Sequence, residues 1–421
     1  MTPPDPLSPL SSDAAPTRTL ARCVGDVAAF ATHVWGRRSQ VHPSGVPADD
    51  LLSLDDVDAL VTSSALRVPT FRLVKDGRPL PVASYTTDGT IGGRRYDGVA
   101  APAKVLAAMD DGATLVLQGA HRYHPPLARL ARDLEVALGH RCQVNAYVTP
   151  PGARGLEVHA DPHDVLVLQA FGTKTWEVHP TPWQSRHEPD AGVVEQVLVP
   201  GDVQYLPAGT PHAARSQDVL SGHVTVGVLT TSWADVVQDV VRAVLDDATL
   251  DDGTLTDGTG LTGPLPVGWH EDPDRAADAL AERLHRVADA LRAHPAGPVL
   301  RQRAETFLRH RPALLAGALV DRTRLPGLDD ATVLERRPGA VLRVVQSPDA
   351  DRLRLLLGDR ALDVPARLAP AVEVVARRDR LTPADLAGVL DAESRLVLCR
   401  RLVREGLLRV ADPAAGPGAG R

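Results

Sequence analysis

Two short segments carry the residues best suited to chemistry. The first, residues 155–161, ends in His159-Ala160-Asp161, and the second, residues 201–212, ends in Pro207-Ala208-Gly209-Thr210-Pro211-His212. In a strand, residues i and i+2 point to the same face, so His159 and Asp161 present an imidazole and a carboxylate side by side. The Pro207-Ala208-Gly209 turn can reverse the chain and bring in His212 at the start of the next strand. Two histidines and one carboxylate on one face of a metal are the ligand set of a non-haem Fe(II) centre. Such a centre keeps positions open for a 2-oxo acid and for oxygen. Asp164 is the competing carboxylate. His163, His179, His187 and His223 lie close by in sequence and are not expected to be ligands.

The elements that must position these residues are short strands. Residues 71–74, 114–117 and 142–148 are of β type, and 164–170 and 174–179 flank Phe171-Gly172-Thr173, a hairpin signal. Residues 194–199, 202–206 and 223–229 continue the series. Many short strands between Gly and Pro turns predict a sandwich or barrel. Helical patterning over 23–35 precedes them. Ser53 with Asp56 three residues on predicts a capped helix start, and a helix over 126–138 stops at Gly139.

The flanking segments complete a domain plan. Residues 1–22, rich in Pro, Ser and Ala, predict a disordered tail. The strand-rich domain covers 23–245, and 246–267 reads as a polar linker loop. Residues 268–328 are helical, with Asp272 and Pro273 at a helix start. Ala276, Leu280, Leu284, Val287 and Leu291 form one apolar stripe there, which packs within its own domain or against a second copy. Residues 329–411 form a third module. Thr382-Pro383-Ala384-Asp385-Leu386-Ala387 starts one helix, 392–405 is a second, and 407–410 is a strand, which is winged-helix order. Residues 412–421 are a flexible tail.

Composition narrows the function classes. The 421-residue chain carries a formal net charge of -7, which argues against a strongly basic nucleic-acid binder. Its three cysteines, Cys23, Cys142 and Cys399, are far apart and suit a reducing compartment. The first residues lack the basic and apolar regions of a secretory signal. No apolar run approaches the ~18 residues of a membrane span. A soluble, cytoplasmic protein is expected. Only three of the 46 basic residues are lysines, namely Lys75, Lys104 and Lys174, so a lysine is unusual in this chain.

A family resemblance sharpens this reading. Asn145-Ala146-Tyr147-Val148-Thr149-Pro150-Pro151-Gly152, His159-Ala160-Asp161, the run 163–169 and Gly172-Thr173-Lys174-Thr175-Trp176 resemble the JmjC/cupin-4 family of ribosomal oxygenases. Pro200-Gly201-Asp202, Pro207-Ala208-Gly209 and the run 223–228 fit the same family, as does 112–118 upstream. The resemblance runs from about residue 54 to residue 229. It implies an α+β fold: a double-stranded β-helix (jelly-roll, cupin, JmjC) core with N-terminal helices, an all-helical dimerisation region and a C-terminal winged-helix module. It implies Fe(II), with 2-oxoglutarate and oxygen as co-substrates. The metal ligands would be His159, Asp161 and His212. Lys174, two positions before Trp176, would pair with the far carboxylate of 2-oxoglutarate. Asn145, Tyr147 and Thr225 would line the same pocket. The substrate would be a protein side chain, an arginine or histidine of a ribosomal protein, and the enzyme a homodimer. One departure stands at Trp35-Gly36-Arg37-Arg38-Ser39, where the family usually has a proline after the basic residues.

Two other classes are compatible with these residues. One is a cupin-type metal enzyme acting on a small molecule without 2-oxoglutarate. The other is a DNA-binding regulator that uses the winged helix, with Arg395, Arg400, Arg401 and Arg404 on its second helix. Charge runs on a helix are more often a solvated face, so nucleic acid is not the expected partner.

Overall fold

The computed structural model describes residues 15–153, 157–188, 190–246, 260–347 and 349–411. Alternation of side chains along its strands explains its main layers. On Arg141–Thr149, residues Val144, Ala146 and Val148 are fully buried on one face, while Asn145, Tyr147 and Thr149 occupy the other. The apolar face packs on helices and the mixed face turns towards a second sheet.

In chain order the first part contains α1 (Ala15–Val24), α2 (Val27–His33), β1 (Gln40–Pro43), α3 (Leu54–Ser63), β2 (Phe71–Lys75), β3 (Arg78–Pro79), β4 (Thr86–Ile91), β5 (Arg94–Ala100), α4 (Pro102–Asp110), β6 (Thr114–Leu117) and α5 (Pro125–Leu138). There follow β7 (Arg141–Thr149), β8 (His159–Ala160), β9 (Asp164–Phe171), β10 (Lys174–Val178), α6 (Gln184–His187), β11 (Val194–Leu198), β12 (Asp202–Leu206), β13 (Pro211–Ser216) and β14 (Ser221–Leu229). The major sheet has the order β1-β12-β9-β14-β7-β6-β2-β3, and the minor sheet β11-β10-β13-β8. Val165 and Val167 of the major sheet share a core cluster with Trp176, Val178 and Leu198 of the minor one. The two antiparallel sheets therefore face each other, the sandwich that the short strands predicted and the jelly-roll that the family resemblance implied. Behind the major sheet, Leu115, Leu117, Val224 and Val226 pack with Leu20, Phe30, Val57, Leu127 and Leu134 of the helices.

Local signals account for the helix boundaries. Ser53 and Asp56 form the reciprocal capping box, and Gly139 closes α5 in the left-handed conformation with φ of 72°. Gly25 ends α1, and Asp26 then caps α2 through the N–H groups of Ala28 and Ala29, which splits the helix expected over 23–35.

Two expectations need correction in this part. Residues 15–22, assigned to a disordered tail, lie in α1, because Leu20, Cys23 and Val24 give the segment an apolar face to bury and Thr19 donates to Asp133 at 3.0 Å. Residues 1–14 of that tail lie outside the described residues. The hairpin expected at Phe171-Gly172-Thr173 does not form, since β9 pairs with β12 and β14 while β10 pairs with β11 and β13. The turn is instead a crossing from one sheet to the other. Gly172 has φ of +60°, and a Cβ there would overlap the Leu220 carbonyl oxygen.

The C-terminal module belongs to the same compact unit as residues 1–230. It contains α10 (Ala318–Arg324), β15 (Leu334–Arg336), β16 (Arg343–Gln346), β17 (Arg352–Leu357), β18 (Arg360–Pro365), α11 (Ala369–Arg377), β19 (Arg380–Leu381), α12 (Ala392–Arg404) and β20 (Leu408–Val410), while α7 (Trp233–Leu245), α8 (Ala277–Ala293) and α9 (Ala296–Arg309) belong to the second unit. The helix expected from Thr382 is a short 3-10 turn over Pro383–Leu386, and the meander β16-β17-β18 was not foreseen. Arg132 of α5 donates to the Pro312 carbonyl at 2.7 Å, and Arg311 pairs with Glu135 at 3.1 Å, so buried cations tie this module to the first part. The tail 412–421 lies outside the described residues.

The second unit, residues 231–310, holds α7 (Trp233–Leu245), α8 (Ala277–Ala293) and α9 (Ala296–Arg309). Most of the loop expected over 246–267 lies outside the described residues. The apolar stripe is only partly covered: Leu280 is 58% and Leu284 60% exposed, while Ala276, Val287 and Leu291 are half-buried, and neither α8 nor α9 has a fully buried residue. Among the described residues no helix is long and apolar enough to cross a membrane.

The sheet-to-sheet crossing yields a stability test. Gly172→Ala should destabilise the fold by at least about 2 kcal/mol, because it adds a backbone clash to the positive φ. Gly139→Ala, whose added Cβ meets nothing within 4 Å, should cost only about 1 kcal/mol. Urea unfolding of the two variants checks the difference, and equal losses would contradict it.

Candidate metal and anion site

The minor sheet assembles the triad by strand pairing. β8 and β13 are antiparallel neighbours, with His159 opposite His212, and their rings lie 4.5 Å apart. Asp161 follows β8 directly, and its carbonyl accepts from the Gly209 N–H at 2.8 Å, which fastens the loop before β13. His159 Nδ1 lies 2.9 Å from the Glu157 carbonyl, and His212 Nδ1 lies 2.9 Å from the Thr210 carbonyl. A carbonyl only accepts, so both imidazoles carry a proton on Nδ1, which leaves Nε2 as the nitrogen available to a metal. His212 Nε2 is 3.7 Å from an Asp161 carboxylate oxygen. The three ligand atoms lie within 4.8 Å of one another, and no other such group occurs among the described residues. Burial holds the pKa of His212 below the ordinary histidine value, which favours the neutral form that binds metal. Two imidazoles that can each bind through Nε2 and a carboxylate, with one open side, fit a divalent first-row metal of the Fe(II) type.

Behind the triad sits an ammonium group. Lys174 on β10 points between the sheets and is 3% exposed. Its Nζ donates to Thr149 Oγ1 at 2.9 Å and to His223 Nδ1 at 3.0 Å. No carboxylate pairs with it among the described residues, and burial lowers its pKa to about 7. An isolated buried cation is costly, and an incoming anion would offset that cost. His223 stacks on Tyr147 at 4.9 Å and meets the Trp176 edge at 5.3 Å. Burial, with the nearby Lys174 charge, holds the pKa of His223 well below its ordinary value.

One cleft, open to solvent, takes in His159, Asp161, His212, Lys174, Tyr147 and Thr225 together. Six of the seven residues singled out from the sequence therefore share it. The seventh, Asn145, does not line the cleft. Its Oδ1 accepts from the Gly119 N–H at 2.9 Å and its side chain bonds to Tyr147, so it supports Tyr147 from behind. The competing Asp164 is fully engaged elsewhere, by the Tyr205 hydroxyl at 2.6 Å and the Ala208 N–H at 2.8 Å. His163, His179 and His187 bond to Gln143, Glu177 and Trp183 and stay outside the cluster. Sequence reasoning missed Thr149 and set His223 aside. Both lie two residues from a residue that was chosen, Tyr147 or Thr225, and strand periodicity alone would have put them on the same face.

Residues 117–236 match the JmjC domain family. Ribosomal oxygenase 2 of Bos taurus is 30% identical over 250 residues, which cover 55% of this chain and 53% of that protein. Ribosomal oxygenase 1 of Gallus gallus is 27% identical over 298 residues, 66% of this chain and 48% of that protein. The chain thus spans about half the length of these curated relatives. The ribosomal oxygenase YcfD of Escherichia coli, solved in complex with cobalt and succinic acid, aligns with a TM-score of 0.52 at 19% identity, over 93% of this chain and 99% of that one. At that identity the likeness is one of fold.

The two carboxylates should behave oppositely. Asp161→Asn should weaken Mn(II) binding by about a hundredfold with little change in melting temperature. Asp164→Asn should lower the melting temperature and leave Mn(II) affinity within about threefold of the wild type. Calorimetric titration with Mn(II) and thermal unfolding together check the assignment, and the reverse pattern would contradict it.

Proposed function

With a JmjC domain in the chain and ribosomal oxygenases among its relatives, we propose that this protein is an Fe(II)- and 2-oxoglutarate-dependent oxygenase that hydroxylates a protein side chain. The observation that carries the reading is a single cleft holding an open His-Asp-His triad and a buried ammonium with no counter-ion among the described residues. That ammonium favours this reading over a cupin metal enzyme that does not use 2-oxoglutarate. With iron and co-substrates bound, the centre would insert one oxygen atom of O2 into an unactivated C–H bond, while 2-oxoglutarate becomes succinate and carbon dioxide.

The chain's own residues supply binding, orientation and exclusion of water. His159, Asp161 and His212 hold the metal and leave one side of it open. Lys174 pairs with the far carboxylate of the dicarboxylic acid, and the Thr149 and Thr225 hydroxyls offer hydrogen bonds beside it. Val165, Val167, Trp176 and Ala214 form apolar walls that keep bulk water from the reacting atoms. The chemistry requires no general acid or base, in keeping with the absence of a carboxylate pair among the residues lining the cleft.

We infer a ribosomal protein as substrate, supported by the names of the relatives, and propose an arginine or histidine side chain as the target on the family resemblance alone. The C-terminal order of turn, α12 and β20 supports a winged-helix module that serves the protein itself. Its arginines favour this over DNA reading. Arg395 forms a two-pronged pair with Asp330, Arg400 donates to the Leu325 and Leu328 carbonyls, and Arg401 pairs with Glu405 at 2.8 Å. The uncovered Leu280 and Leu284 support a homodimer built through the helical unit. Light scattering should report twice the chain mass, falling to one chain in Leu280→Glu/Leu284→Glu; a single-chain mass for the wild type would refute the dimer. The buried thiols of Cys23, Cys142 and Cys399 fit a reducing, cytoplasmic setting.

Turnover tests the whole reading. The wild type should convert 2-oxoglutarate to succinate in an Fe(II)-dependent manner, and His159→Ala, Asp161→Ala or His212→Ala should abolish it. Lys174→Ala should chiefly weaken 2-oxoglutarate binding. Ribosomal proteins from cells with the chain should contain a side chain heavier by one oxygen atom than those from cells without it. Succinate formation that survives the triple ligand variant would sink the site assignment, and identical ribosomal proteins in both cells would sink the substrate.

A further inference from the structure

An ammonium nitrogen has three N–H bonds in fixed tetrahedral directions. On Lys174 two of them are already committed, to Thr149 Oγ1 at 2.9 Å and to His223 Nδ1 at 3.0 Å. Because an ammonium can only donate, the Nδ1 contact requires a lone pair on that nitrogen. His223 is therefore a neutral imidazole with its proton on Nε2, the opposite tautomer from His159 and His212. The ring cannot turn away from this contact. Tyr147 lies against it with an interplanar angle of 8°, Trp176 meets it at 76°, and β14 is paired on both sides, with β7 and β9. Burial and the adjacent Lys174 charge keep the imidazole neutral.

We propose that His223 is a positioning residue for the 2-oxoglutarate anchor: its Nδ1 and the Thr149 hydroxyl fix two directions of the Lys174 ammonium, so that the third is left for the far carboxylate. This rests on the 2-oxoglutarate reading given above. The choice of side chain has a chemical reason. A carboxylate at position 223 would neutralise Lys174 and compete with the co-substrate. An apolar residue would leave the ammonium free to tilt. A neutral acceptor steers the charge without quenching it.

Three variants of the full chain, loaded with Mn(II) in the absence of iron, test this by calorimetric titration with 2-oxoglutarate. His223→Phe keeps a flat ring and loses the acceptor, and should bind about tenfold more weakly than the wild type. His223→Gln restores an acceptor and should return to within about threefold of wild-type affinity. His223→Asp supplies a counter-ion and should bind more weakly than His223→Phe. Unchanged Mn(II) affinity in each variant shows that the fold and triad are intact. Wild-type affinity in His223→Phe, or a His223→Gln variant as weak as His223→Phe, would overturn the proposal and leave the 2-oxoglutarate reading standing. A wild-type chain that binds no 2-oxoglutarate would overturn that reading itself, and the positioning role with it. Nitrogen NMR of His223 should find Nδ1 unprotonated at neutral pH; a protonated Nδ1 would contradict the proposal on its own.

Discussion

The structure is organised around a charge that it does not neutralise. Lys174 lies between two sheets, held by a hydroxyl and a neutral imidazole, with no carboxylate paired to it among the described residues. A folded protein rarely leaves a buried ammonium in this state, because desolvation costs several kcal/mol that hydrogen bonds to neutral groups only partly return. The lowered pKa of about 7 is the same cost expressed as proton affinity. An arrangement of this kind makes sense as the half of an ion pair whose other half arrives with a ligand. The rest of the site follows from it: the residues that hold the ammonium line the major sheet, and the metal triad stands on the minor sheet across the cleft.

Both halves depend on the way the chain crosses between sheets. β9 supplies Val165 and Val167 to the wall of the cleft from the major sheet, and β10 supplies Lys174 and Trp176 from the minor sheet. Gly172 makes that crossing possible, since the Leu220 carbonyl occupies the space a side chain would need. β13 and β8 then set His212 and His159 opposite one another in register. Backbone carbonyls fix both rings through Nδ1, so the metal-facing geometry is determined by strand pairing more than by side-chain freedom.

Much of this was legible in the sequence, for identifiable reasons. His159-Ala160-Asp161 could be read because strand periodicity is rigid, and His212 because a Pro-Ala-Gly turn precedes it. The boundaries of β6 and β12, the Ser53 capping box and the Gly139 stop rest on local chemistry and were legible for the same reason. What could not be read was non-local. Phe171-Gly172-Thr173 has the composition of a hairpin, and only the competing partners β14 and β13 make it a crossing. Asn145 shares a face with Tyr147, yet Gly119 on a distant loop draws its side chain away. His223 looked like a bystander because its role comes from Lys174, which lies 49 positions away in sequence.

The most direct test of the central claim is a crystal structure of the full chain grown without oxygen, with Mn(II) and 2-oxoglutarate. It should show one metal ion bonded to His159, Asp161 and His212, with the far carboxylate of 2-oxoglutarate on the Lys174 ammonium. A metal held elsewhere, or a co-substrate whose far carboxylate makes no contact with Lys174, would contradict it.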